Sequence, residues 1–197
     1  MYLDAMEFLE EEREAWRPYE ALLDLTDEQL ERPVEAAHGW SGRDLMVHLL
    51  GWLDTALAVA KELAVREDSP TLERREQGMA SPGVDAINED LQASGRERSL
   101  EELRDAFRTV PGELRGYLTV VPEARWIKNP AHLKPILGDT TDHYEEHAPD
   151  LAAILEASRC RPSARSWRKP SRISTRSKAS APATISSGGA VGSRSPP

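Results

Sequence analysis

The residues best suited to chemistry lie between Asp139 and Leu155, a stretch reading Asp-Thr-Thr-Asp-His-Tyr-Glu-Glu-His-Ala-Pro-Asp-Leu-Ala-Ala-Ile-Leu. Positions four apart on a helix share a face, so His143 and His147 present their imidazoles in the same direction. The remainder of that face is Ile136, Thr140, Leu151 and Ile154, a stripe otherwise fit for a core. Buried imidazoles need partners for their nitrogens, and neutral imidazoles at this spacing are what a helix offers a transition metal. The His-Glu-x-x-His arrangement of metalloproteases is excluded, because Tyr144 stands where that motif needs its glutamate. A third imidazole, His48, shares a predicted helical face with Leu45, Leu49, Trp52, Ala56, Val59 and Leu63. Were those two helices to face each other, His48 would meet His143 and His147. Three neutral imidazoles with an open position suit zinc, nickel, iron or cobalt. Such an ion acts as a Lewis acid, or lowers the pKa of a bound water or thiol.

The elements that must hold these residues are helical by periodicity. Met6, Leu9, Trp16, Tyr19 and Leu23 recur at three- and four-residue steps and predict a first helix over 3–24, with Arg13 interrupting the stripe. Thr26 caps a short turn with Gln29 three residues on, and Pro33 ends it. Ser41 then caps a second helix running to about Val65, with Asp44 placed to help its first turn. Residues 66–98 read as a long connection, broken at Ser69-Pro70 and between Gly78 and Gly83, with room for a short helix from Val84 to Ala93. So long a link frees the second and third main helices from an antiparallel arrangement. Ser99 and Glu102 form the next capping box, ahead of a core face of Leu100, Leu103, Phe107, Val110, Leu114 and Leu118. Pro111 inside that helix predicts a kink or two shorter pieces. After a loop over 122–134, a final helix is predicted from about Pro135 to Ala157, bent just after His147 by Pro149.

Composition narrows the partners. From Arg159 onward there are nine basic residues and no acidic one. Removing these nine from the chain's 25 leaves 16 basic against 34 acidic residues in 1–158, a net charge of −18. That body repels nucleic acid and anionic membrane surfaces, so a polyanionic partner is not expected for it. Cys160 is the only cysteine, so the body has neither a disulfide framework nor a thiol nucleophile of its own. The acidic start of the chain lacks a signal-peptide pattern and no apolar run reaches spanning length, which reads as a cytoplasmic protein. Residues 159–197 are rich in Ser, Arg and Pro and are expected to be a disordered tail after the 1–158 bundle. The sequence leaves a homodimer open.

Other candidates have plainer readings. His38 and His132 fall in predicted loops and read as surface residues. Asp142, Glu145 and Glu146 read as a solvated face, one of which could orient a ligand imidazole. Trp40 reads as a hydrophobic staple before the second helix, Trp52 and Tyr144 as core, and Ser41 as a cap rather than a nucleophile. Asn88 could bond a ligand or a helix end.

The segment His38-Gly-Trp-Ser-Gly-Arg-Asp-Leu-Met-Val-His48-Leu-Leu-Gly-Trp52 resembles the second-helix signature of the DinB-like four-helix bundle superfamily. Thr140-Thr-Asp-His143-Tyr-Glu-Glu-His147 is similar to its fourth-helix signature. The resemblance covers about 1–157. It implies an all-α, up-down-down-up four-helix bundle with a long crossover between helices two and three. It also implies a divalent metal, zinc or nickel, held by His48, His143 and His147. Some members resemble S-transferases and isomerases that use mycothiol or bacillithiol, such as the N-terminal domain of maleylpyruvate isomerase. Val84-Asp-Ala-Ile-Asn88 with Phe107, Pro122 and Trp126 resembles the ClbS/DfsB branch, which includes resistance proteins that hydrolyse a strained electrophile. The expectation is a metal-dependent thiol transferase or hydrolase acting on an electrophilic or toxic small molecule. The rival is a non-catalytic protein of the same fold that sequesters its ligand.

Overall fold

Ser41 and Asp44 close a reciprocal box, each side chain accepting from the other's backbone N–H at 3.0 and 3.1 Å, and from that box the longest helix starts. The computed structural model describes residues 2–159, so the expected disorder of the tail lies outside the described residues. Among these residues all regular structure is helical: α1 (Ala5–Trp16), α2 (Asp27–Leu30), α3 (Gly42–Val65), α4 (Pro70–Ala80), α5 (Val84–Arg96), α6 (Leu100–Val120), α7 (Pro130–Asp139) and α8 (Thr141–Arg159). A 3-10 stretch, Arg17–Asp24, prolongs α1. No helix among the described residues is long and apolar enough to cross a membrane.

Four helices pack in a ring: α3 against α6 and α8, and α1 against α6 and α8. Near their starts, Arg43 of α3 donates to the carbonyls of Arg96 and Arg98, just ahead of α6. Near their ends, Arg125, just past α6, donates to the carbonyl of Leu63 in α3. The face of α3 expected to be buried is buried, with Leu45, Leu49, Ala56 and Leu63 wholly excluded from solvent. On the other side of the ring, Trp16 packs on Phe107 at 4.5 Å and on Tyr144 at 5.3 Å between ring centroids.

Four local expectations are corrected. The α1 stripe is rotated: Met6 is exposed, while Glu12 is fully buried beside Phe8, Leu9 and Trp16. Glu12 can sit there because Arg115 and Tyr144 donate to its two carboxylate oxygens. The 66–98 connection is mostly helix. Pro70 is a first-turn residue of α4 rather than a breaker, because a first-turn N–H has no intrahelical partner in any case. Pro111 does not divide α6; the lost bond is outweighed by burial of Leu103, Phe107, Val110, Leu114 and Leu118 along one face. Finally, the last predicted helix is two. The α7 helix starts early, at Pro130, and stops at Thr140, whose backbone (φ −128, ψ −104) is not helical. The α8 helix restarts at once and runs through Pro149 to Arg159.

Candidate metal centre

His48 lies in the second turn of α3, and His143 and His147 lie in the first turns of α8. The break at Thr140 fixes where α8 begins; the Thr140 hydroxyl donates back to the Ile136 carbonyl, and its own carbonyl accepts from the Tyr144 N–H. The three imidazoles converge. Their ring centroids stand 4.7 to 4.8 Å apart, and one ring nitrogen from each lies within 4.8 Å of the other two. His48 Nε2 and His143 Nε2 are 2.8 Å apart. His147 Nδ1 is 2.9 Å from Asp150 Oδ2, so a proton on Nδ1 leaves the Nε2 lone pair free.

Burial sets the protonation state. It pushes His48 down to about 4, with the charge of His147 acting in the same direction. It pushes His143 down to about 3, with His48, His147 and Arg75 adding to the effect. Both rings are therefore neutral near pH 7, the state in which imidazole ligates a metal. The Nδ1 atoms of both rings are buried without a hydrogen-bond partner among the described residues. Two desolvated rings sharing one contact are costly as plain core residues. Ligands of one tetrahedral ion with bonds of about 2 Å stand roughly 3.3 Å apart, close to what the two Nε2 atoms already show. The donor set fits a divalent transition metal, and the three histidines could hold one.

A pocket of about 410 Å³ opens on the cluster. Trp40 stacks on His147 at 5.4 Å and leans on His48 at 4.9 Å. Trp52 meets His143 edge-on and donates its indole N–H to Asn88 Oδ1 at 3.0 Å. The α4–α5 pair supplies the outer wall with Arg75, Met79, Val84, Asp85 and Asn88. Arg75 holds Asp139 through Nε at 3.1 Å and through Nη2. Burial pushes Asp139 up to about 6 while Arg75 pulls it down, leaving it ionised at neutral pH. A hollow of similar size, about 430 Å³, lies on a neighbouring face of α3 and has no histidine in its lining.

The three predicted ligands are together; the other two histidines are elsewhere. His132 sits on α7 with its ring bonded to the Arg125 carbonyl. His38 occupies a left-handed turn (φ 57), largely exposed, 3.8 Å from Asp150. None of Asp142, Glu145 and Glu146 holds a ligand imidazole, although Glu146 lines the pocket. That part belongs to Asp150, three residues after His147, a spacing that puts the two side chains on one helical face. Trp40 is a wall of the site rather than only a staple. Tyr144 is core, its hydroxyl donating to Glu12. Arg75 and Asp139 had no sequence signal beyond their charge.

Comparison with known proteins gives one match. A family model described as the mycothiol maleylpyruvate isomerase N-terminal domain matches residues 11–141. No curated protein and no solved structure matches the chain.

Proposed function

From the premise that the chain belongs to the mycothiol maleylpyruvate isomerase N-terminal domain family, part of the DinB-like superfamily, we propose a metal-dependent enzyme that adds a thiol or water to an electrophilic small molecule. His48, His143 and His147 would hold a divalent ion, zinc or nickel, through Nε2. The observation that carries this reading is the convergence of three ring nitrogens, two of them on rings held neutral by burial, in the wall of an open pocket. When bound, the ion supplies Lewis acidity that draws down the pKa of a thiol or water.

The chain's own residues do the rest. Asp150 holds His147 in one tautomer and orientation. Trp40 packs against His147 and His48 and limits how their rings can turn. Among the described residues no Cys, Ser or Thr lines the pocket, which favours a nucleophile brought in from outside. A low-molecular-weight thiol such as mycothiol or bacillithiol fits that need, and the family name supports mycothiol. Asp85 and Glu146 bring carboxylates to the pocket that can take up a released proton.

The test is metal analysis of the purified chain alongside His48→Ala and His143→Ala, followed by turnover of model electrophiles with mycothiol, bacillithiol or water. Zinc or nickel in the wild type, its loss in both variants, and turnover abolished by a chelator are expected. Equal, near-zero metal in all three proteins would overturn the metal site. Saturable ligand binding without turnover, indifferent to chelator, would make the protein a sequestering one instead.

A further inference from the structure

Arg75 is unusual in being a charged side chain brought to the pocket and then largely buried there. Its side chain is only 14 % exposed, and that of Asp139 only 2 %. Asp139 occupies one side of the guanidinium, taking Nε and Nη2. Nη1 makes no hydrogen bond among the described residues, and Arg75 lines the pocket. One N–H each from Nη1 and Nη2 is thus left as an unclaimed fork, the edge that takes a carboxylate with two parallel bonds. The plane is supported from another direction by Trp52, whose ring centroid is 5.3 Å from the guanidinium carbon, and Trp52 is itself fixed by Asn88. Position 138, beside Nη2, carries no side chain; even a Cβ there would stand 3.8 Å from that nitrogen. A fork held this way loses little conformational freedom when it binds.

The same pocket carries the carboxylates of Asp85, Asp139 and Glu146, so among its side chains the Arg75 edge is the one cationic group for an anion to meet. Its other walls, Trp40, Trp52, Met79 and Val84, are apolar and partly flat. We propose that Arg75 anchors a carboxylate carried on a flat apolar body, and so sets the substrate class of the site. This rests on reading the pocket as a small-molecule site, and it does not require the ion. The competing role is purely structural: Arg75 would then only tie α4 to the end of α7.

The experiment is calorimetric titration of the full chain, zinc-loaded and chelated, with benzoate and with its neutral isostere benzamide. Wild type should prefer benzoate at least tenfold. Arg75→Lys, which keeps a cation for Asp139 but not the fork, should lose that preference. So should the double variant Arg75→Gln/Asp139→Asn, which keeps a neutral bonded pair and guards against misfolding of a single change. Zinc content should be the same in all of them. Benzenesulfonate and phenylphosphonate distinguish a planar carboxylate from other oxyanions, and equal or stronger binding of either would overturn the assignment to carboxylate. Unchanged benzoate affinity in both variants would overturn the proposal, as would a wild type that binds benzamide equally or binds neither. Benzoate binding that needs zinc and ignores Arg75 would place the anion on the metal and also overturn it. Failure of zinc to bind at all would count against the metal site alone, because the chelated titrations still test the fork.

Discussion

Asp150 acts on the cluster through a single contact with His147 Nδ1, and that contact decides which nitrogen of the ring faces inward. Asp150→Asn is expected to weaken metal binding roughly 10- to 100-fold, measured by competition with a chromophoric chelator, with the helical circular dichroism unchanged. The two buried imidazoles also give the metal-free protein a pH dependence. His48 and His143 are held at about 4 and about 3, against 6.5 for an unperturbed ring. Below about pH 6.5 the unfolded chain therefore binds protons that the folded chain refuses, so stability falls as pH drops toward 4. Between pH 7 and 5 each such ring costs on the order of 2 kcal/mol. Urea midpoints in chelator at the two pH values should show this, and His143→Gln should flatten the slope; an unchanged slope would refute the assignment. The convergence of the three histidines was legible because a four-residue spacing on an apolar stripe is a strong pattern. Asp150 was overlooked because Glu145 and Glu146 stand closer in sequence. Arg75 was out of reach, since its role exists only where α4 meets the end of α7.

Helix starts were the most readable elements. Ser41, Thr26 and Ser99 all cap as their sequences predict, each with its reciprocal partner in place. Proline was the least readable, because its local cost is fixed whereas the packing that offsets it depends on the tertiary neighbours of Pro70 and Pro111. The wall made by α4 and α5 illustrates this, as it hangs on α3 through close approaches that composition does not reveal. Gly95 is one: a Cβ there would come within 2.1 Å of Val47 Cγ1 and 3.0 Å of its Cβ. Valine cannot swing clear with a single stiff torsion, so the helices themselves must part. Gly95→Ala is expected to cost about 1–3 kcal/mol, read as a lowered melting temperature, and to weaken ligand binding in the pocket that α5 walls.

Across the whole molecule, α1, α6 and α8 meet at one buried polar knot. Glu12 is fully buried and accepts from Arg115 Nη1 at 2.7 Å and from the Tyr144 hydroxyl at 3.1 Å. Burial pushes the Glu12 carboxyl up, and Arg115 opposes it. Arg115→Ala is expected to cost about 3–5 kcal/mol, because it strands a carboxylate in the core. Adding Glu12→Gln should recover part of that loss in denaturant melts. All-α architecture was legible throughout the body, while this knot was not, since a glutamate on a charged helix looks like one more solvated residue. His48 and His143 are 95 residues apart along the chain, and the ring of helices closes the gap. Fragments split between α5 and α6 should each lack a high-affinity site, and mixing them should restore ion uptake only as fast as they reassemble. Uptake would then serve as a clock for the closing of the fold.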